Sequence, residues 1–193
     1  QTRIENEMNL PDGYVIEWGG QFEHLQRSKM RFMIVVPIAL LLIFLMLYFS
    51  LKNFVDVFVI YTGIPFAFIG GVFALWGRGM PFSVSAAIGF IALSGIAVLN
   101  GQILASSIRI FRKEGLILGE AVKVAANQRL LPVMATAITD AVGFIPMAIS
   151  TGVGAEVQRP LATVVIGGVT TATLLTLFVL PALYLTMGKR FGK

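Results

Sequence analysis

Cysteine is absent from the 193 residues, and histidine occurs once, at His24. Without thiols there are no disulfides and no thiolate metal sites. A single imidazole builds no histidine cluster, so no resident metal or other cofactor is expected. Charge is scarce as well. Asp, Glu, Lys and Arg make up 13% of the chain, against about 25% in soluble domains. Hydrophobic residues supply 56%, and the mean hydropathy is +0.84. This composition excludes an ordinary soluble domain and places the chain in a lipid bilayer. The net charge is +5, but the basic residues flank apolar runs instead of forming a patch interleaved with aromatics, so nucleic acid is not an expected partner. Covalent chemistry is not expected, and the chain is not an enzyme on this reading.

The apolar runs are long. A helix of about 20 residues at 1.5 Å per residue crosses the hydrocarbon core. Five such spans are expected, at about 32–51, 55–76, 82–108, 130–150 and 161–186, within a membrane domain 32–188. The third span is rich in small residues (Ser83, Ser85, Gly89, Ser94, Gly95, Gly101, Ser106). Small residues let membrane helices approach closely, so this span is placed centrally in the bundle. Between the third and fourth spans, Ile117, Ala121, Val124 and Ala125 repeat at helical spacing against Glu120, Lys123, Asn127 and Gln128. That pattern predicts an interfacial amphipathic helix over about 115–128. The fold class is therefore all-α membrane: a five-helix transmembrane bundle with an interfacial amphipathic helix and a short β-containing segment before it.

The N-terminal segment 1–31 is polar. Leu10-Pro11-Asp12-Gly13 is a turn signal, and Tyr14 to Trp18 predicts a β-strand. No basic region followed by an apolar core opens the chain, which is expected of a piece of a longer polypeptide. Basic residues then set the orientation. Lys52, Arg109, Arg112, Lys113, Lys123, Arg129, Lys189, Arg190 and Lys193 fall on one side, against Arg78 and Arg159 in the short loops of the other. By the positive-inside rule the C-terminus, with its tail 189–193, is cytoplasmic and the N-terminal segment is outside.

Inside the fourth span one charge stands alone. Leu130 to Ser150 reads LLPVMATAITDAVGFIPMAIS, and Asp140 is its only ionisable residue. A carboxylate at the bilayer centre costs roughly 2.5–3.5 kcal/mol on insertion scales. Such acids mark ion and proton paths, or serve as structural carboxyls bonded to a neighbouring helix. Thr136 lies four residues earlier on the same helical face, with Gly143 close to that face. Its hydroxyl either passes a proton or bonds its own i−4 carbonyl. Asn100, in the third span, is either a polar partner for acids on other helices or helix–helix glue. The methionines (Met30, Met33, Met46, Met80, Met134, Met147, Met187 among them) suit soft metals, but no close pair at ligand spacing occurs, and packing is their ordinary use. Glu156 and Arg159 read as a solvated pair or an interface contact.

The local words resemble one family. Leu10-Pro-Asp-Gly-Tyr14 and Glu17-Trp-Gly-Gly-Gln-Phe-Glu23 are similar to the end of the periplasmic porter region of resistance-nodulation-division (RND) efflux permeases. Gly89-Phe-Ile-Ala-Leu-Ser-Gly95 resembles that family's tenth helix. Arg129-Leu-Leu-Pro-Val-Met-Ala-Thr136 with Gly143-Phe-Ile-Pro146 resembles its eleventh. The run from Ser150 to Gly168, STGVGAEVQRPLATVVIGG, is close to the heavy-metal efflux branch. The resemblance covers essentially the whole chain and corresponds to the last five spans of the permease. One departure is informative: multidrug members carry a Lys-Asn pair where this chain has Ile96-Ala97. The missing lysine argues for the metal-exporting branch.

The resemblance implies a proton-driven pump of the bacterial inner membrane, exporting heavy-metal cations. It implies a homotrimer completed by the rest of the permease, a periplasmic adaptor and an outer-membrane channel. Asp140, Thr136 and Asn100 are the candidate proton-relay residues, Thr136 because it matches a relay threonine of related pumps. A multidrug-type RND transporter and a truncated, non-transporting membrane fragment are the alternatives.

Overall fold

The computed structural model describes residues 21–191, with side chains from 32 to 186. The expected turn at Leu10–Gly13 and strand at Tyr14–Trp18 lie outside the described residues. The chain divides into two units, Gln1–Ile34 and Val35–Lys193. Among the described residues the secondary structure is helical throughout: α1 Gln21–Leu51, α2 Phe54–Tyr61, α3 Gly63–Gly77, α4 Val84–Lys113, α5 Leu118–Ile149, α6 Ala155–Leu174 and α7 Leu180–Phe191. A π-helical turn, Leu175–Val179, joins α6 to α7. Five stretches are long and apolar enough to cross a membrane: Phe32–Leu51, Phe54–Gly77, Val84–Lys113, Leu118–Ile149 and Ala155–Thr186. These are the five spans expected from hydropathy, with shifted ends.

The second span is two helices. Thr62 closes α2 and opens α3, and its hydroxyl donates to the Val59 carbonyl (2.6 Å). Pro65 has no N–H to offer the Tyr61 carbonyl, so the helical ladder is interrupted at this point. The span is entered through a turn of two residues: Lys52 takes a left-handed φ of 49°, and the Asn53 side chain caps α2 by accepting from the Val55 N–H (3.1 Å).

Two other boundaries differ from the sequence reading. The amphipathic stretch and the fourth span are one continuous helix, α5. The amphipathic residues pack against protein through Ala121, Val122 and Ala125, in a cluster with Leu104, Ala105 and Ile108 of α4. The last span begins at Ala155, not near 161. Gly154, at φ 88°, makes the sharp entry, so Glu156 and Arg159 lie in the first turns of α6. Pro160 forfeits a single hydrogen bond near that end.

Packing is uneven. The most apolar window of Val84–Lys113 is 61% buried, against 11% for Leu118–Ile149 and 6% for Phe32–Leu51. The small-residue third span is therefore central, as expected, and α6 shares the centre with it. Glycines permit this. Gly70 of α3 and Gly167 of α6 are in backbone contact, and a Cβ on Gly89 of α4 would stand 3.0 Å from the Leu161 carbonyl oxygen of α6. Close backbone approach is how membrane helices gain van der Waals contact, because lipid tails supply no hydrophobic drive between them. A core of Leu93, Val164, Val165 and Val169, with Ala67, Ala86 and Ala172, fills the α3–α4–α6 seam.

Candidate functional site

Asp140 sits in the second half of α5, at the middle of the apolar run 130–150, and is half-buried. Val133, Ala137 and Ala148 form the buried stripe of this helix, and Asp140 lies at its edge. Thr136 and Gly143, on the Asp140 side, are exposed. A Cβ added at Gly143 would meet nothing within 4 Å, so this face is open to receive a helix or water. Among the described residues no group hydrogen-bonds or ion-pairs with the Asp140 carboxylate. The Thr136 hydroxyl donates within its own helix, to the Val133 and Pro132 carbonyls (3.0 and 3.2 Å), the local bonding that helix-interior threonines commonly adopt.

Asn100 is in a different setting. It is 5% exposed, and its Nδ2 is buried without an acceptor among the described residues. A buried amide donor left unpaired costs about 1–3 kcal/mol. Helix register places it. The Arg129 Nε donates to Ser107 Oγ (2.6 Å), tying the antiparallel pair α4 and α5. As many residues separate Arg129 from Thr136 as separate Ser107 from Asn100, so these two are level within about a turn. By the same count Asp140 is level with Ile96, the position at which multidrug members carry lysine. Counting along α6 from the contact of Gly168 with Leu93 brings Asn100 level with Leu175, where the π turn begins. The three candidates thus share a depth in the bundle, but no hydrogen bond joins any two of them. Thr136 is exposed on α5, Asp140 is half-buried at the edge of its packed stripe, and Asn100 is enclosed within the bundle.

The polar contacts that tie spans together lie at the two ends. At the basic-rich end, Arg109 of α4 pairs with Asp56 of α2 (2.8 Å), and the Asn53 amide donates to the same carboxylate oxygen (3.2 Å). The hydroxyl of Tyr184, on α7, is buried close to that carboxylate, though not in hydrogen-bonding geometry with it. At the other end Arg78 donates to Thr163 Oγ1 of α6 and to the Ala148 carbonyl of α5, both at 2.8 Å. In the sequence, Arg109 and Arg78 served only to set orientation, and Asp56 drew no attention. The available signal was opposite charge at the same end of two antiparallel spans. Glu156 and Arg159 form no ion pair among the described residues: Glu156 is exposed, and the Arg159 Nε is buried without an acceptor.

No group of three or more His, Cys, Asp or Glu is positioned to hold a metal among the described residues. Of the methionines, Met80 has its sulfur 3.7 Å from the Thr163 hydroxyl, a packing role.

The sequence matches the AcrB/AcrD/AcrF family over residues 1–188. It is 54% identical over 184 residues to the cobalt-zinc-cadmium resistance protein CzcA of Cupriavidus metallidurans, covering 95% of this chain and 17% of that protein. It is 54% identical over 182 residues to the nickel and cobalt resistance protein CnrA of the same organism, covering 94% and 17%. The fold matches the crystal structure of a heavy metal efflux pump with a TM-score of 0.81 at 44% identity, covering 98% of this chain and 19% of that one. The chain thus spans about a sixth of the length of the curated relatives it matches. Its relatives are efflux permeases, not enzymes, and the chain belongs to the AcrB/AcrD/AcrF family, resembling its heavy-metal efflux members.

Proposed function

We propose that this chain is the C-terminal part of the membrane domain of a proton-driven permease that exports heavy-metal cations across the bacterial inner membrane. The observation that carries the reading is the identity to metal-resistance relatives over nearly the whole chain. The absence of lysine at Ile96 supports it. In this reading the C-terminus is cytoplasmic, the N-terminal segment is periplasmic, and the working unit is a trimer joined to a periplasmic adaptor and an outer-membrane channel.

Asp140 is the proposed proton carrier. It is a half-buried acid at the middle of an apolar run, with no partner among the described residues, on a face open at Gly143. Protonation removes the cost of holding a carboxylate in apolar surroundings, and deprotonation needs water or a cation brought to that face. A proton there therefore changes which neighbour the α5 face prefers, and that preference is the coupling step passed to the periplasmic porter. Thr136 is the same-face neighbour that orients water, and Asn100 is a buried amide at the same depth.

The test is Asp140→Asn in the full-length permease. Metal resistance is expected to fall while membrane abundance stays constant. Unchanged resistance would assign Asp140 a structural role.

A further inference from the structure

The last span changes pitch in its second half. Leu175–Val179 is a π turn, and π turns inside helices gather at functional sites. The backbone bonding there is unusual. The Leu180 N–H donates to the Leu175 carbonyl, and Pro181 has no N–H to give. The Thr176 carbonyl therefore loses its i+4 donor to Leu175 and meets a proline at i+5. Thr176 is 1% exposed, so this acceptor is held inside the bundle, where an unsatisfied backbone group is costly.

Two further polar groups beside the turn are unmet. On one side is Asn100 of α4. Leu93 touches Gly168 of α6, and Asn100 lies seven residues further on the same face of α4, level with Leu175. Its Nδ2 is a buried donor without an acceptor. Donor and carbonyl are thus complementary and within about a turn in depth. On the other side is Tyr184 of α7. Its hydroxyl is buried and unbonded, beside the Asp56 carboxylate that pairs with Arg109. Among the described residues three buried side-chain atoms lack a partner, and two of them bracket this one turn.

The π turn carries one residue more than an α-helical path through the same place. Rewound as α-helix, it passes that residue on: α7 turns by about 100° and advances about 1.5 Å. The Leu180 N–H then serves the Thr176 carbonyl. Leu183 takes the place of Tyr184 beside Asp56 and Arg109, and Tyr184 takes the half-buried place that Leu185 holds in this structure. Each register has a cost that the other lacks. The π register strands the Thr176 carbonyl, and the α register sets a hydrocarbon side chain against an ion pair. Packing favours the first, since Leu175, Leu180 and Tyr184 belong to one buried cluster with Val57, Ile60 and Ile108. Opposed costs of this kind keep two arrangements close in free energy, as a switch requires.

We propose that the π turn is a rotary joint in the last span, with Asn100 as its catch. Hydrogen-bonded to the Thr176 carbonyl, directly or through one water, the Asn100 amide holds the π register and keeps Tyr184 beside the Asp56–Arg109 pair. When that bond is released, the turn rewinds and swings Tyr184 away. The rotation connects the depth of Asn100 with the basic-rich end, where the second and third spans are tied by their ion pair. Asn100 is a positioning residue in this joint, and the joint is independent of the proton-relay reading.

Spin-label distances test it. In the full-length permease, with any native cysteine replaced, nitroxides are attached at Ala182→Cys of α7 and Phe58→Cys of α2, both exposed positions. A turn of 100° carries a side-chain end about 8 Å around the helix, so the two registers give two distances. One distance should dominate in the parent, and Asn100→Leu should enrich the second at least threefold. Phe178 is an exposed residue of the π turn. Deleting it removes the extra residue and leaves α7 facing as it does here, so the dominant distance alone should remain, even with Asn100→Leu. If either variant does not accumulate, Asn100→Ser or deletion of Val179 takes its place. One distribution shared by the parent, the Asn100 variant and the deletion would overturn the proposal. A second distance that survives the deletion would overturn it as well.

Discussion

Gly70 and Gly167 stand back to back where α3 crosses α6: a Cβ on the first would lie 2.5 Å from the carbonyl oxygen of the second, and a Cβ on the second 2.7 Å from the carbonyl oxygen of the first. Neither obstacle is a flexible side chain that can swing away. Gly70→Ala or Gly167→Ala must therefore separate the helices, at about 1–3 kcal/mol by analogy with overpacked cores. Each should lower the thermal unfolding midpoint of the detergent-purified permease by several degrees. Gly77→Ala, with nothing within 4 Å, should leave it in place. Equal midpoints for all three would contradict the close crossing.

The Asp56–Arg109 pair ties the start of the second span to the end of the third. Its side chains are 16% and 33% exposed, so it lies between a surface pair worth under about 1 kcal/mol and a buried one costing about 3–5 kcal/mol to break. Asp56→Asn and Arg109→Gln should each destabilise by about 1–2 kcal/mol, and the double variant by less than their sum. Strict additivity in that cycle would show that the two charges do not interact.

Arg78 makes its two hydrogen bonds to different spans, Thr163 on α6 and the Ala148 carbonyl on α5. A lysine reaches one acceptor at a time and lacks the planar fork. Arg78→Lys is expected to recover less than half of the stability lost in Arg78→Ala, itself about 1–3 kcal/mol. Full recovery by lysine would reduce the role of Arg78 to charge alone.

Thr136 and Asp140 share a face but differ in what they have left to offer. The Thr136 hydroxyl already donates to carbonyls of its own helix, whereas the carboxylate has no partner among the described residues. Thr136→Val should therefore reduce metal resistance much less than Asp140→Asn, with Asp140→Glu intermediate. Equal losses from Thr136→Val and Asp140→Asn would give the hydroxyl an indispensable part in the relay.

Hydropathy alone fixed the number of spans, because a run of about 20 apolar residues has few other uses. The small residues of the third span foretold its burial. Family words such as Ser150–Gly168 foretold the relationship. Asp140 stood out as a candidate because an isolated charge in an apolar run is costly wherever the neighbours lie. What the sequence left open depended on which helix each face meets. Continuity of α5 through its amphipathic turns was hidden, since the same apolar stripe suits a lipid surface or a protein groove, and only packing against Ile108 and Leu104 distinguishes them.

The site divides in the same way. Residue type named Asp140, Thr136 and Asn100 as candidates, but could not show that Asn100 is enclosed, Asp140 half-buried and Thr136 exposed. The interhelical contacts of Asp56 with Arg109, and of Arg78 with Thr163, join residues separated by dozens of positions in the chain. Sequence by itself determined the composition of each helix, and so its place in a bilayer. The tertiary structure decided register and facing, because those follow from which backbones can approach, and here that was settled where Gly70 meets Gly167.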